Sequence, residues 1–68
     1  MIPNDKREQL LDELRRFNRT YTKVYSYPLA VAMSVPDRTI RHWLKLLESM
    51  GVVARPPGTQ RSGWIVVN

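Results

Sequence analysis

From residue 29 onward, polar and apolar positions sort into two helical patterns separated by a short break. Leu29, Ala30, Val31, Ala32 and Met33 form an apolar run. Ser34-Val35-Pro36 interrupts it. From Asp37, at about 100° per residue, Ile40, Trp43, Leu44, Leu47 and Met50 fall in one arc of roughly 120°. Arg38, Arg41, His42 and Lys45 fall in an arc of roughly 100° on the opposite side. Leu46 lies between the arcs and suits either padding under a neighbouring element or an association surface.

The pattern before residue 29 is simpler. Leu10, Leu14, Phe17 and Tyr21 recur at helical spacing, with Leu11 on the flank, and predict a helix over about residues 5–20. Asn4 is a candidate cap, with Asp5 and Glu8 in the first turn. Ser26 is a candidate cap for a second helix over about 27–33, and Pro28 fits its first turn. That helix is nearly all apolar, so burial by its neighbours is expected. Pro36 suits the start of a third helix over about 37–50, and Gly51 suits the position just past its end.

The remainder predicts a hairpin over about residues 52–67. Val52, Val53 and Ala54 suit one strand, and Trp64, Ile65, Val66 and Val67 the other. Pro56-Pro57-Gly58 marks the loop between them. Residues 23–25 are candidates for a third strand. The expected class is mainly α with a small β-hairpin, an α+β chain forming one domain over residues 1–68.

Charge adds direction. The chain carries a net charge of +5. Residues 1–14 hold Lys6 and Arg7 against Asp5, Glu8, Asp12 and Glu13, a net of −2. Residues 15–68 hold nine Lys and Arg against Asp37 and Glu48, a net of +7. The excess lies beyond residue 14 and favours a polyanionic partner. There are no cysteines, which excludes disulfides and thiolate metal sites. His42 is the only histidine, so no metal site and no cofactor are expected. No signal-peptide core or membrane-spanning run is present, and a cytoplasmic location is expected.

The segments Leu29-Ala30, Met33-Ser34-Val35, Arg38-Thr39-Ile40-Arg41, Leu44, Leu47-Glu48 and Met50-Gly51-Val52-Val53 carry a resemblance. They resemble the winged helix-turn-helix family, as in bacterial regulators of the biotin-repressor and DeoR type. Those combine an "LA" helix, a "GVS" turn, an "RTVRR" helix start and an "L..LE..G" finish. The resemblance implies three helices plus a two- or three-stranded antiparallel wing sheet. It also implies sequence-specific binding of double-stranded DNA, as a small repressor or the DNA-binding module of a longer regulator. Two positions depart from it. Ser34 stands where glycine is common, so the turn carries strain or takes another geometry. Pro36 stands where a Ser or Thr cap is common.

On that reading Arg38, Thr39, Arg41, His42 and Lys45 contact DNA from the third helix. Arg38 and Arg41 suit guanine, and Lys45 suits phosphate. Arg55, Gln60 and Arg61 contact it from the wing. Against this stands the plain reading that a charged helix face is a solvated one. Asp37 opposes phosphate unless it caps the helix or pairs with Arg41 four residues on. Trp43, Trp64 and Phe17 are expected in the core, and no row of exposed aromatics for base stacking is evident. No catalytic constellation is present, so an enzyme is not expected, and no small-molecule ligand either. Symmetric dimers are common in such regulators. A homodimer through helix 1 or Leu46, or a further partner domain, is the corresponding expectation. The rival reading is a winged helix serving as a protein-interaction or assembly module, with Leu46, Leu11 and Ile2 making the contact. RNA binding shares the charge preference but lacks a recognisable motif.

Overall fold

The computed structural model describes residues 1–55 and 63–67. Among these, three helices precede a two-stranded antiparallel sheet: α1 (Asn4–Asn18), α2 (Ser26–Met33), α3 (Asp37–Ser49), β1 (Val53–Ala54) and β2 (Ile65–Val66). The class is therefore mainly helical with a small sheet, as the hydrophobic pattern predicts.

The apolar stripes meet in one cluster. Leu10 and Leu14 of α1, Leu29, Ala30 and Met33 of α2, and Ile40, Trp43, Leu44 and Leu47 of α3 are all buried there. Val24, Val53 and Trp64 complete it. Phe17 and Leu11 pack against its edge, as do Leu46 and Val66. Two stripe residues do not join. Tyr21 is 58% exposed because α1 stops at Asn18, three residues short of it. Met50 is equally exposed because it lies beyond the last turn of α3. Nor is α2 enclosed on all sides: Tyr27 and Val31, four residues apart, share an exposed face.

The helix starts differ from expectation. Asn4 and Ser26 are the first helical residues of α1 and α2, not their caps, and no helix has a side-chain cap hydrogen bond. Pro3 and Pro36 occupy the cap positions of α1 and α3 with nearly identical backbone angles. Proline presets φ near the value needed, and its carbonyl still accepts the first helical bond. Arg7 N–H donates to the Pro3 carbonyl at 2.8 Å and Thr39 N–H to that of Pro36 at 3.0 Å.

The helix ends use one device twice. After α2, Ser34 takes a left-handed conformation (φ 55) and Val35 N–H reaches back to the Ala30 carbonyl at 3.1 Å. After α3, Gly51 takes φ 78 and Val52 N–H reaches the Leu47 carbonyl at 3.1 Å. Each closure satisfies a carbonyl at the helix end and turns a valine toward the core. Glycine adopts this geometry freely, whereas serine is strained in it.

The sheet pairs Val53 with Val66 and Ala54 with Ile65. The expected third strand is present as one bridge, Val24 with Trp64, closed by bonds of 2.8 and 2.7 Å. Asn18 ends α1 and also accepts the Val66 N–H at 2.9 Å, so the same residue terminates a helix and anchors β2. No helix among the described residues is long and apolar enough to cross a membrane.

The two helix closures give opposite expectations. Ser34→Gly should raise stability by about 1 kcal/mol, and Gly51→Ala should lower it by about 1 kcal/mol. An added Cβ at Gly51 meets nothing within 4 Å, so its penalty is backbone strain alone. Thermal melts check both, with shifts of about 4–8 °C per kcal/mol expected for a domain of this size.

Candidate nucleic-acid interface

Burial of Ile40, Trp43, Leu44 and Leu47 fixes the rotation of α3 about its axis. The opposite face is thereby committed to solvent. Arg38, Arg41, His42 and Lys45 are exposed on it, and Thr39 is half-buried at its edge. Arg38, His42 and Lys45 make no hydrogen bond or ion pair with the described residues. Two cations of α1 differ. Arg15 pairs with Asp12 at 3.7 Å, and Arg16 pairs with Glu13. α1 is thereby neutral in itself, whereas Arg38 and Lys45 of α3 carry charge that no carboxylate among the described residues pairs.

Arg41 is held. Its Nε and Nη2 donate to one carboxylate oxygen of Asp37, at 2.7 and 2.6 Å. The other Asp37 oxygen accepts the Ser26 hydroxyl at 2.7 Å. Ser26 opens α2 and Asp37 opens α3, so the carboxylate bridges two helix starts and one arginine. Asp37 also sits in the first turn of α3, where the helix dipole favours a negative charge. The Ser26 hydrogen bond is the largest influence lowering its pKa below the ordinary aspartate value. Partial desolvation opposes this, and the hydrogen bond and charge of Arg41 reinforce it.

From the hairpin, the Arg55 guanidinium lies 4.4 Å from the centre of the Trp64 ring. Stacking on an aromatic face orients a guanidinium without removing its charge. Arg41, Lys45 and Arg55 share the lining of a cleft of about 450 Å³ with Ser26, Tyr27 and Trp64. Three of the sequence-predicted site residues are thus brought together. Arg38, Thr39 and His42 lie on α3 outside that lining. Gln60 and Arg61 lie outside the described residues. Counting Arg38, Arg41, Lys45 and Arg55 against Asp37 and Glu48, this side carries a net charge of +2 with His42 neutral.

Sequence reasoning missed three features. Ser26 reads as a cap because its position suits one, but its hydroxyl bonds Asp37. The stack of Arg55 on Trp64 joins residues separated by the loop and has no local signal. Tyr25 and Tyr27 are exposed and line the same cleft, a placement the sequence reading assigned to neither. The four-residue spacing of Tyr27 and Val31, set against Leu29, Ala30 and Met33, was the available signal for Tyr27. Among the described residues no cluster of three or more His, Cys, Asp or Glu is arranged to hold a metal ion.

No protein-family model, curated protein or solved structure matches this chain.

The Asp37 arrangement has a pH signature. A carboxylate whose folded pKa is lowered contributes stability that is complete above its ordinary value and is lost as pH falls through the lowered one. The stability difference between wild type and Asp37→Asn should be constant from about pH 5 to 8 and shrink in acid below about pH 4. Urea unfolding across that range checks it; a difference that persists unchanged at the acid end would mean the charge of Asp37 is not responsible.

Proposed function

We propose that this chain is a winged helix-turn-helix domain that binds double-stranded DNA in a sequence-specific way. The observation that carries the reading is the division of α3. One face is buried by four large side chains, and the other presents Arg38, Arg41, His42 and Lys45 in a row with Asp37 already engaged. A helix of 13 residues is roughly 20 Å long, and its exposed basic face fits a major groove about 12 Å wide. The three-residue turn between α2 and α3 supports the same reading, because it leaves α2 behind α3 and the basic face open.

In this proposal α3 enters the major groove. The β1–β2 sheet lies along the flanking backbone or minor groove and brings Arg55. Lys45, further from the start of α3, neutralises phosphate. The role is transcriptional control in the cytoplasm, as a small repressor or a module of a longer regulator. A second reading, a protein-interaction module, is favoured by a separate observation. Met1, Ile2, Leu46 and Met50 line a hollow of about 400 Å³ between the start of α1 and the end of α3. Arg38→Ala combined with Arg41→Ala should abolish specific DNA binding under the first reading and leave partner binding intact under the second.

Titration of labelled random-sequence duplex, followed by anisotropy, tests the proposal. Affinity should fall with salt at a slope of about −0.9 per neutralised phosphate. Lys45→Ala should reduce that slope by about one. Binding that is absent at low salt, or insensitive to salt, would overturn the reading.

A further inference from the structure

Arg41 is the one cation of the α3 face whose side chain is already committed to a direction. Its guanidinium has five N–H groups in a rigid fork. The Nε–H and one Nη2–H converge on a single oxygen of Asp37. The second Nη2–H and the two Nη1–H groups remain, and the outer pair points away from Asp37. The side chain is still 70% exposed despite its two bonds, so that outer edge faces solvent. Asp37 is itself braced by Ser26 at the start of α2, and its own side chain is only 25% exposed.

We infer that Asp37 is a positioning residue that presents the outer edge of Arg41 to one guanine of the recognised duplex. The inference rests on the DNA-binding reading and deepens it. The chemistry selects the base. Two parallel N–H donors match the O6 and N7 acceptors that only guanine offers side by side in the major groove. An unbraced arginine samples many rotamers and serves phosphate equally well. A braced one has lost that freedom before binding, which favours the single geometry it already holds. Arg38 lacks such a brace among the described residues, so the two arginines are not equivalent: Arg41 supplies base choice, whereas Arg38 adapts to base or phosphate. Ser26 is the far end of the device and makes the base-reading geometry depend on how α2 and α3 sit together.

Selection from a randomised duplex pool by wild type, Asp37→Ala, Ser26→Ala and Arg41→Lys tests this. Wild type should select a guanine at one position by about tenfold or more over other bases. Asp37→Ala should flatten that position while binding random duplex as tightly as wild type or more so, since a negative charge is gone. Arg41→Lys keeps the charge and removes the fork, and should flatten the same position. Ser26→Ala should flatten it in part. A DNA-free readout stands beside these. The Arg41 Nε–H of the free protein should exchange with water more slowly than that of Arg38, and should lose this protection in Asp37→Ala.

Retention of the guanine by Asp37→Ala, with uniformly tighter binding, would overturn the inference and leave Asp37 as a helix-start charge only. If Asp37→Ala fails to fold, Arg41→Lys decides, because Arg41 is exposed and its replacement leaves the core intact; a preserved guanine there overturns the inference too. Failure of wild type to bind any duplex sinks the DNA-binding reading itself. Binding that selects a site without an Arg41-dependent guanine sinks only the inference.

Discussion

The rest of the molecule depends on how α3 is rotated. Ile40, Trp43, Leu44 and Leu47 sit at spacings that place them on one side, and the core accepts all four. Turning the helix by one residue would move some 100° of its surface, bury arginine and expose leucine. Hydrophobic burial therefore acts here as an orienting constraint as much as a source of stability. It decides which side chains meet solvent and leaves the polar interactions to refine where they point.

Refinement comes from few groups, and each serves two elements. Asp37 joins the starts of α2 and α3 and holds Arg41. Asn18 ends α1 and anchors β2. Trp64 fills the core, bridges to Val24 and carries Arg55 on its face. A chain of 68 residues has a small interior, and shared duty lets a few side chains order its periphery. The contrast with α1 is instructive. Arg15 and Arg16 pair with carboxylates three residues back on the same helix, contacts that bind no other element and contribute little.

The helices and the class of fold were legible because periodicity is a local property of the chain. The basic arc of α3 and the pairing of Asp37 with Arg41 were legible for the same reason, since four residues separate them on one helix. What was not legible is non-local or positional. Tyr21 continues the stripe of α1 in sequence, but the chain turns at Asn18 and the register is lost. Ser26 has the chemistry of a cap and the neighbourhood of one, yet Asp37, 11 residues on, competes for the hydroxyl and holds it. Pro3 displaced the expected Asn4 cap of α1 because a preset φ and a free carbonyl suffice. Arg55 over Trp64 needed the hairpin folded before the two residues were neighbours.

The bond from Asn18 to Val66 spans 48 residues. With the bridge from Val24 to Trp64 it draws the last described strand back against the segment that follows α1. The entropy lost in closing so long a loop is recovered only once the intervening helices are in place. The helices can begin from contacts close in sequence, whereas the hairpin has no seat until α1, α2 and α3 have packed. Connectivity thus makes the seat of the strands a product of helix packing, and the strands close the chain like a clasp.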